Sequence, residues 1–165
     1  ALLFVPRILV SAVLPILSDR MGTGNEAQCA RLLALSMAAN AIIVGPLVLV
    51  GAVFSPHIMS LYGAGFGSQW PPLVVVLLTA GLLAVQQPVG QSIAACGRMW
   101  LGFSMNTGWA LVVLGTTYAL AAYGSLGLAI AQLAGYLVHA IWTFTFAILQ
   151  MRQSHRGSVS HAAHS

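Results

Sequence analysis

LVVVLLTAGLLAVQQPVGQSIAACGRMWLGFSMNTGWALVVLGTTYALAA, Leu73 to Ala122, decides the fold class. It holds two apolar runs of 23 residues, Leu73–Ala95 and Trp100–Ala122, parted only by the turn Cys96-Gly97-Arg98-Met99. A helix needs about 20 apolar residues to cross roughly 30 Å of hydrocarbon. Each run is long enough, and so short a turn makes the two helices antiparallel neighbours. Membrane strands would alternate apolar and polar residues, and these runs do not.

The pattern repeats outward in both directions. Upstream, Leu32–Phe54 is a span carrying Gly45-Pro46, joined to Leu73 by SPHIMSLYGAGFGSQWPP, Ser55–Pro72, which is full of turn formers and interfacial aromatics. Before it lie the polar stretch Ser18–Arg31 and a further apolar run, Ala1–Leu17. Downstream, the turn Tyr123–Gly127 opens a last span, 127–150, and the polar tail Met151–Ser165 is expected to be disordered. The sequence therefore predicts an all-α multi-pass transmembrane bundle with spans 1–17, 32–54, 73–95, 100–122 and 127–150. Ala1 lies inside an apolar run with no charged segment before it, so that run is not a signal peptide. An N-terminal part of the protein is expected to precede it.

Composition supports the same class. Hydrophobic residues are 59% of the chain and charged residues 5%, against roughly 25% charged in soluble domains. The net charge of +4 comes from six scattered arginines and two acids, which make no basic face for nucleic acid. If connections alternate sides, Arg20, Arg31, Arg98, Arg152 and Arg156 share one face. The positive-inside bias makes that face, and the C-terminus, cytoplasmic. Cys29 and Cys96 stand in no metal-ligand spacing. There is no phosphate-binding loop, no HExxH and no nucleophile elbow; neither catalytic residues, nor a metal site, nor a cofactor is expected, and the chain does not read as an enzyme.

Polar side chains within the spans are the candidate site. Arg7 lies ten residues from Leu17, about 15 Å along a helix, near the bilayer centre, where a cation is costly unless it faces protein or water. It either lines a cavity for an anionic substrate, or it snorkels or pairs with a backbone carbonyl. His139 serves as a proton relay or an interhelical hydrogen bond, the second being the preferred reading. Asn40, Gln86, Gln87, Gln91, Asn106 and Gln132 are uncharged. Gln87 and Gln91 share a helix face, and with Asn106 on the next helix they would suit a hydroxyl-rich ligand or join helices to each other. Gly127, Ala131 and Gly135 form a small-residue stripe that lets two helices approach closely. No Asp or Glu falls in any span, so no carboxylate site for a coupling cation is present.

Four motifs occur in order: Leu14-Pro15-Ile16-Leu17-Ser18; Ser55–Phe66, SPHIMSLYGAGF; Gln91–Arg98, QSIAACGR; and Tyr123–Ala131, YGSLGLAIA. This series resembles the C-terminal lobe of polysaccharide or O-antigen flippases, within the superfamily of multidrug, oligosaccharidyl-lipid and polysaccharide exporters. The resemblance implies a two-lobed, MATE-like transporter of the bacterial inner membrane, with this chain as most of one lobe and a partner lobe N-terminal to it. It further implies alternating-access translocation of a lipid-linked oligosaccharide through a cationic cavity, where Arg7 would meet the pyrophosphate. The competing readings are a Na⁺- or H⁺-coupled multidrug exporter of the same superfamily and a non-transporting membrane subunit.

Overall fold

A computed structural model describes residues 26–63, 65–95 and 97–162, with side chains over 31–63, 65–94 and 97–149. The expected first span, with Arg7, lies outside the described residues. The chain forms α1 (Glu26–Val53), α2 (Ser55–Ser60), a 3₁₀ turn at Gly67–Gln69, α3 (Trp70–Ala95), α4 (Met99–Ala119), a second 3₁₀ turn at Ala121–Tyr123, and α5 (Gly124–Ala162). No strand occurs among the described residues.

The helix ends follow local chemistry. Pro56 stands in the first turn of α2, and Pro71 and Pro72 in the first turn of α3; there a missing N–H has no helical partner to lose. At the other end of α3, the Gly97 N–H donates to the Ala94 carbonyl and the Arg98 N–H to that of Ile93. This pair of bonds is a Schellman cap, and it needs the left-handed backbone that Gly97 adopts at φ 69°. The cap turns the chain directly into α4.

Burial is inverted relative to a soluble bundle. On α1 the buried residues Leu33, Asn40, Val44 and Val48 form one stripe with half-buried Met37, while Ile42, Leu49 and Val53 are 66–72% exposed. A helix whose outer face is apolar suits a lipid solvent. Three stretches are long and apolar enough to cross a membrane: Arg31–Val53, Gly67–Ala94 and Ala121–Leu149. The expected fourth span forms a 21-residue helix, α4, but is not among these three. Asn106, Thr107, Thr116, Thr117 and three glycines dilute its apolar character. It still returns the chain between the end of α3 and the start of α5, about 30 Å at 1.5 Å per residue.

Two apolar clusters fill the interior. Leu33, Val89, Ile93, Met105 and Ala147 form one, and Val44, Val48, Leu77 and Ala84 the other. The first joins the start of α1 and α4 to the end of α3 and of the α5 span, so α1 and α4 run opposite to α3 and α5. Arg31 and Arg98 accordingly sit at one end of the bundle.

The stripe on α5 packs as its residues predict. Gly127, Ala131 and Gly135 are all buried. A Cβ at Gly127 would strike the Leu120 carbonyl, and one at Gly135 would strike Val113 and Trp109. Gly108 of α4 reciprocates by receiving the Trp142 indole.

The stretch from Met151 to Ala162 continues α5. It contains no proline, and its one glycine, Gly157, costs only about 1 kcal/mol in a helix; extending a formed helix is far easier than nucleating one.

Candidate functional site: an amide and histidine layer

A polar layer lies between the two apolar clusters, and its construction begins with a proline. Pro88 stands inside α3, so the carbonyl four residues earlier, that of Ala84, receives no helical N–H. Asn40 of α1 fills the gap: its Nδ2 donates to the Ala84 oxygen at 2.9 Å. Asn40 is 1% exposed. In hydrocarbon an unmatched carbonyl is costly, and supply from a neighbouring helix is how membrane proteins accommodate such prolines. The bond ties α1 to α3 at mid-span.

Two residues further along, α3 meets α5. The Gln86 Oε1 lies 3.3 Å from His139 Nδ1, and the Thr143 Oγ1 lies 3.2 Å from the same nitrogen. The Thr143 hydroxyl spends its single proton on the His139 carbonyl at 2.8 Å. Its oxygen can therefore only accept from the ring, as can the Gln86 Oε1. Both contacts are satisfied when Nδ1 carries the proton, which leaves Nε2 as the imidazole's acceptor. Tyr136 flanks the ring edge-on at 6.5 Å between centroids, and Trp109 of α4 stands 5.3 Å from Tyr136.

The layer holds more hydrogen-bonding capacity than it uses internally. Asn40 Oδ1, Gln86 Nε2, Gln87 Oε1 and Trp109 Nε1 are buried without a partner. Each such atom costs about 1–3 kcal/mol when left unmet. The set presents two acceptors and two donors and no charge. It is chemically suited to hydroxyls or water rather than to ions. No group of three or more His, Cys, Asp or Glu that could hold a metal ion occurs among the described residues.

The residues singled out from sequence separate here. His139 lies in the layer. Gln87 is half-buried and contributes its buried Oε1 to the layer, and Gln91 is half-buried one turn on, without a hydrogen bond. Asn106 is exposed on α4 and bonds to neither glutamine. Arg7 lies outside the described residues. Gln86, Asn40 and Thr143 carry the observed contacts, although the sequence marks the first two only as polar residues in spans and Thr143 not at all. A signal for Asn40 did exist: Pro88 announces that the Ala84 carbonyl needs a donor from another helix.

No family model matches the chain, nor does any curated protein or solved structure.

Proposed function

We propose that this chain is one helical lobe of a membrane transporter that moves lipid-linked oligosaccharide precursors across the bacterial inner membrane by alternating access, with its C-terminus in the cytoplasm. The observation that carries the reading is the uncharged hydrogen-bonding layer of Asn40, Gln86, Gln87 and His139, with buried atoms left unpaired inside apolar helices. Amides and a neutral imidazole recognise sugar hydroxyls by donating and accepting at fixed points. The order of the four flippase-like motifs supports the same reading. Drug export coupled to a cation would call for buried carboxylates, and the apolar spans contain none.

The test is transport by the full-length protein in proteoliposomes. A fluorescent polyprenyl-pyrophosphate oligosaccharide is placed in both leaflets, and bleaching by a membrane-impermeant reductant reports its movement between them. Exchange should exceed that of protein-free vesicles, and Gln87→Leu should slow it about ten-fold, the equivalent of one buried hydrogen bond. Exchange equal to empty vesicles refutes the proposal. Uptake of a cationic dye driven by a Na⁺ or proton gradient would identify a drug exporter instead. A cysteine at position 87 that never reacts with an aqueous thiol reagent would point to a non-transporting subunit. The role of Arg7 is separable: Arg7→Ala that leaves surface polysaccharide unchanged at equal expression rules it out.

A further inference from the structure

The outer wall between α4 and α5 carries a groove of about 490 Å³ near the Arg98 end of the bundle. Its walls are Leu101 and Met105 from α4 and Trp142, Phe146 and Leu149 from α5. Met105 forms the floor at 5% exposure, while Leu101, Trp142 and Leu149 are 38–53% exposed along the rim. On α5 the wall runs from Trp142 to Leu149, seven residue steps or about 10 Å of helix length.

Two hydroxyl residues also border the groove, and both are occupied. Ser104 Oγ donates to the Trp100 carbonyl at 2.9 Å, and Thr145 Oγ1 to the Ile141 carbonyl at 2.6 Å. With both hydroxyls engaged, the walls are dominated by apolar side chains, which suits a hydrocarbon chain. At the mouth stands Arg98, whose guanidinium lies 5.8 Å from the centre of the Phe146 ring. Arg98 is exposed and makes no ion pair among the described residues. It sits level with Ala94 and Leu149, where the apolar spans of α3 and α5 end, so its charge is at headgroup depth.

We propose that this groove binds one anionic phospholipid of the surrounding bilayer, its phosphate on Arg98 and part of an acyl chain along Leu101, Met105, Trp142 and Phe146. The charge at the mouth matches an anionic head, and the wall matches the chain. The site lies on the outside of the bundle and is independent of the transport reading.

Native mass spectrometry of the detergent-solubilised protein, titrated separately with phosphatidylglycerol and phosphatidylcholine of identical chains, tests it. The wild type should retain one phosphatidylglycerol in preference to phosphatidylcholine. Arg98→Gln should reduce that preference about five-fold, the factor one cation contributes near an anionic surface. Thr145→Trp, which fills the groove from the opposite helix, should lower retention of both lipids. Equal retention of the two lipids by the wild type overturns the proposal. So does an unchanged preference in Arg98→Gln, or unchanged retention in Thr145→Trp. Displacement of the lipid by millimolar inorganic phosphate would show a free-anion site and also overturn it, as would retention of a polyprenyl phosphate in place of phosphatidylglycerol.

Discussion

Restoring the backbone N–H that Pro88 removes should make Asn40 dispensable. Asn40→Leu withdraws the only side-chain donor to the Ala84 carbonyl among the described residues, held at 2.9 Å, and leaves that carbonyl unmatched in the bundle interior. Interhelical hydrogen bonds in membrane proteins contribute about 0.6 kcal/mol on average and up to about 1.7. The Ala84 oxygen has no helical N–H to fall back on, so the loss should approach the upper figure. Pro88→Ala supplies the missing N–H from within α3. In that background Asn40→Leu should cost little, which gives a coupling of about 1 kcal/mol or more between two residues on different helices. The assay is reversible unfolding in mixed dodecylmaltoside and dodecyl sulfate micelles, followed by far-UV circular dichroism, for the four members of the cycle. Independent sites add to within about 0.5 kcal/mol. Additivity within that margin would refute the argument that Asn40 completes the proline-broken helix.

Other outcomes follow from the same packing. Gly127→Ala should destabilise by about 1–2 kcal/mol, because its methyl meets the Leu120 backbone oxygen, which cannot rotate away. Gly115→Ala, inside α4 with open space around it, should be neutral or stabilising by up to about 1 kcal/mol; both are read from unfolding midpoints, and equal values would contradict the close approach at Gly127. His139→Ala should cost about 1–3 kcal/mol, since it strands the Gln86 carboxamide entirely, whereas Gln86→Leu, which also removes an unpaired donor, should cost less. The reverse ranking in the same micelle assay would contradict the assigned polar layer.

The limits of the spans are legible in the sequence because apolar runs stop where turn chemistry begins. The expected end of one run at Ala95 is the end of α3, and the expected end of another at Phe54 is one residue past α1. Continuity through Pro46 and Pro88 is less legible, since it depends on what neighbouring helices supply. The candidate site is legible only in part. Grouping Gln87, Gln91 and Asn106 assumes how α4 is rotated about its axis. Gly108, Gly127 and Gly135 set that rotation by backbone approach, which turns Met105 and Val113 inward. Asn106, one residue on from Met105, is then swung by about 100°, out of the layer. The same step separates Gln86, which meets His139, from Gln87, which does not. Residue spacing within one helix defines a face, but only contact between helices decides where that face points.

α4 reaches the rest of the bundle chiefly through α5. With Trp142 seated on Gly108 and Leu120 seated on Gly127, these two helices are geared together like a single lever arm. α1 is latched to α3 instead, through Asn40. The Gln86–His139 contact sits where the two pairs meet, in the position of a fulcrum. Relative movement of the two pairs would therefore turn about a glutamine and a histidine; it would shear the cluster around Met105 and Ala147, while that of Val44, Val48, Leu77 and Ala84 would travel with α1 and α3.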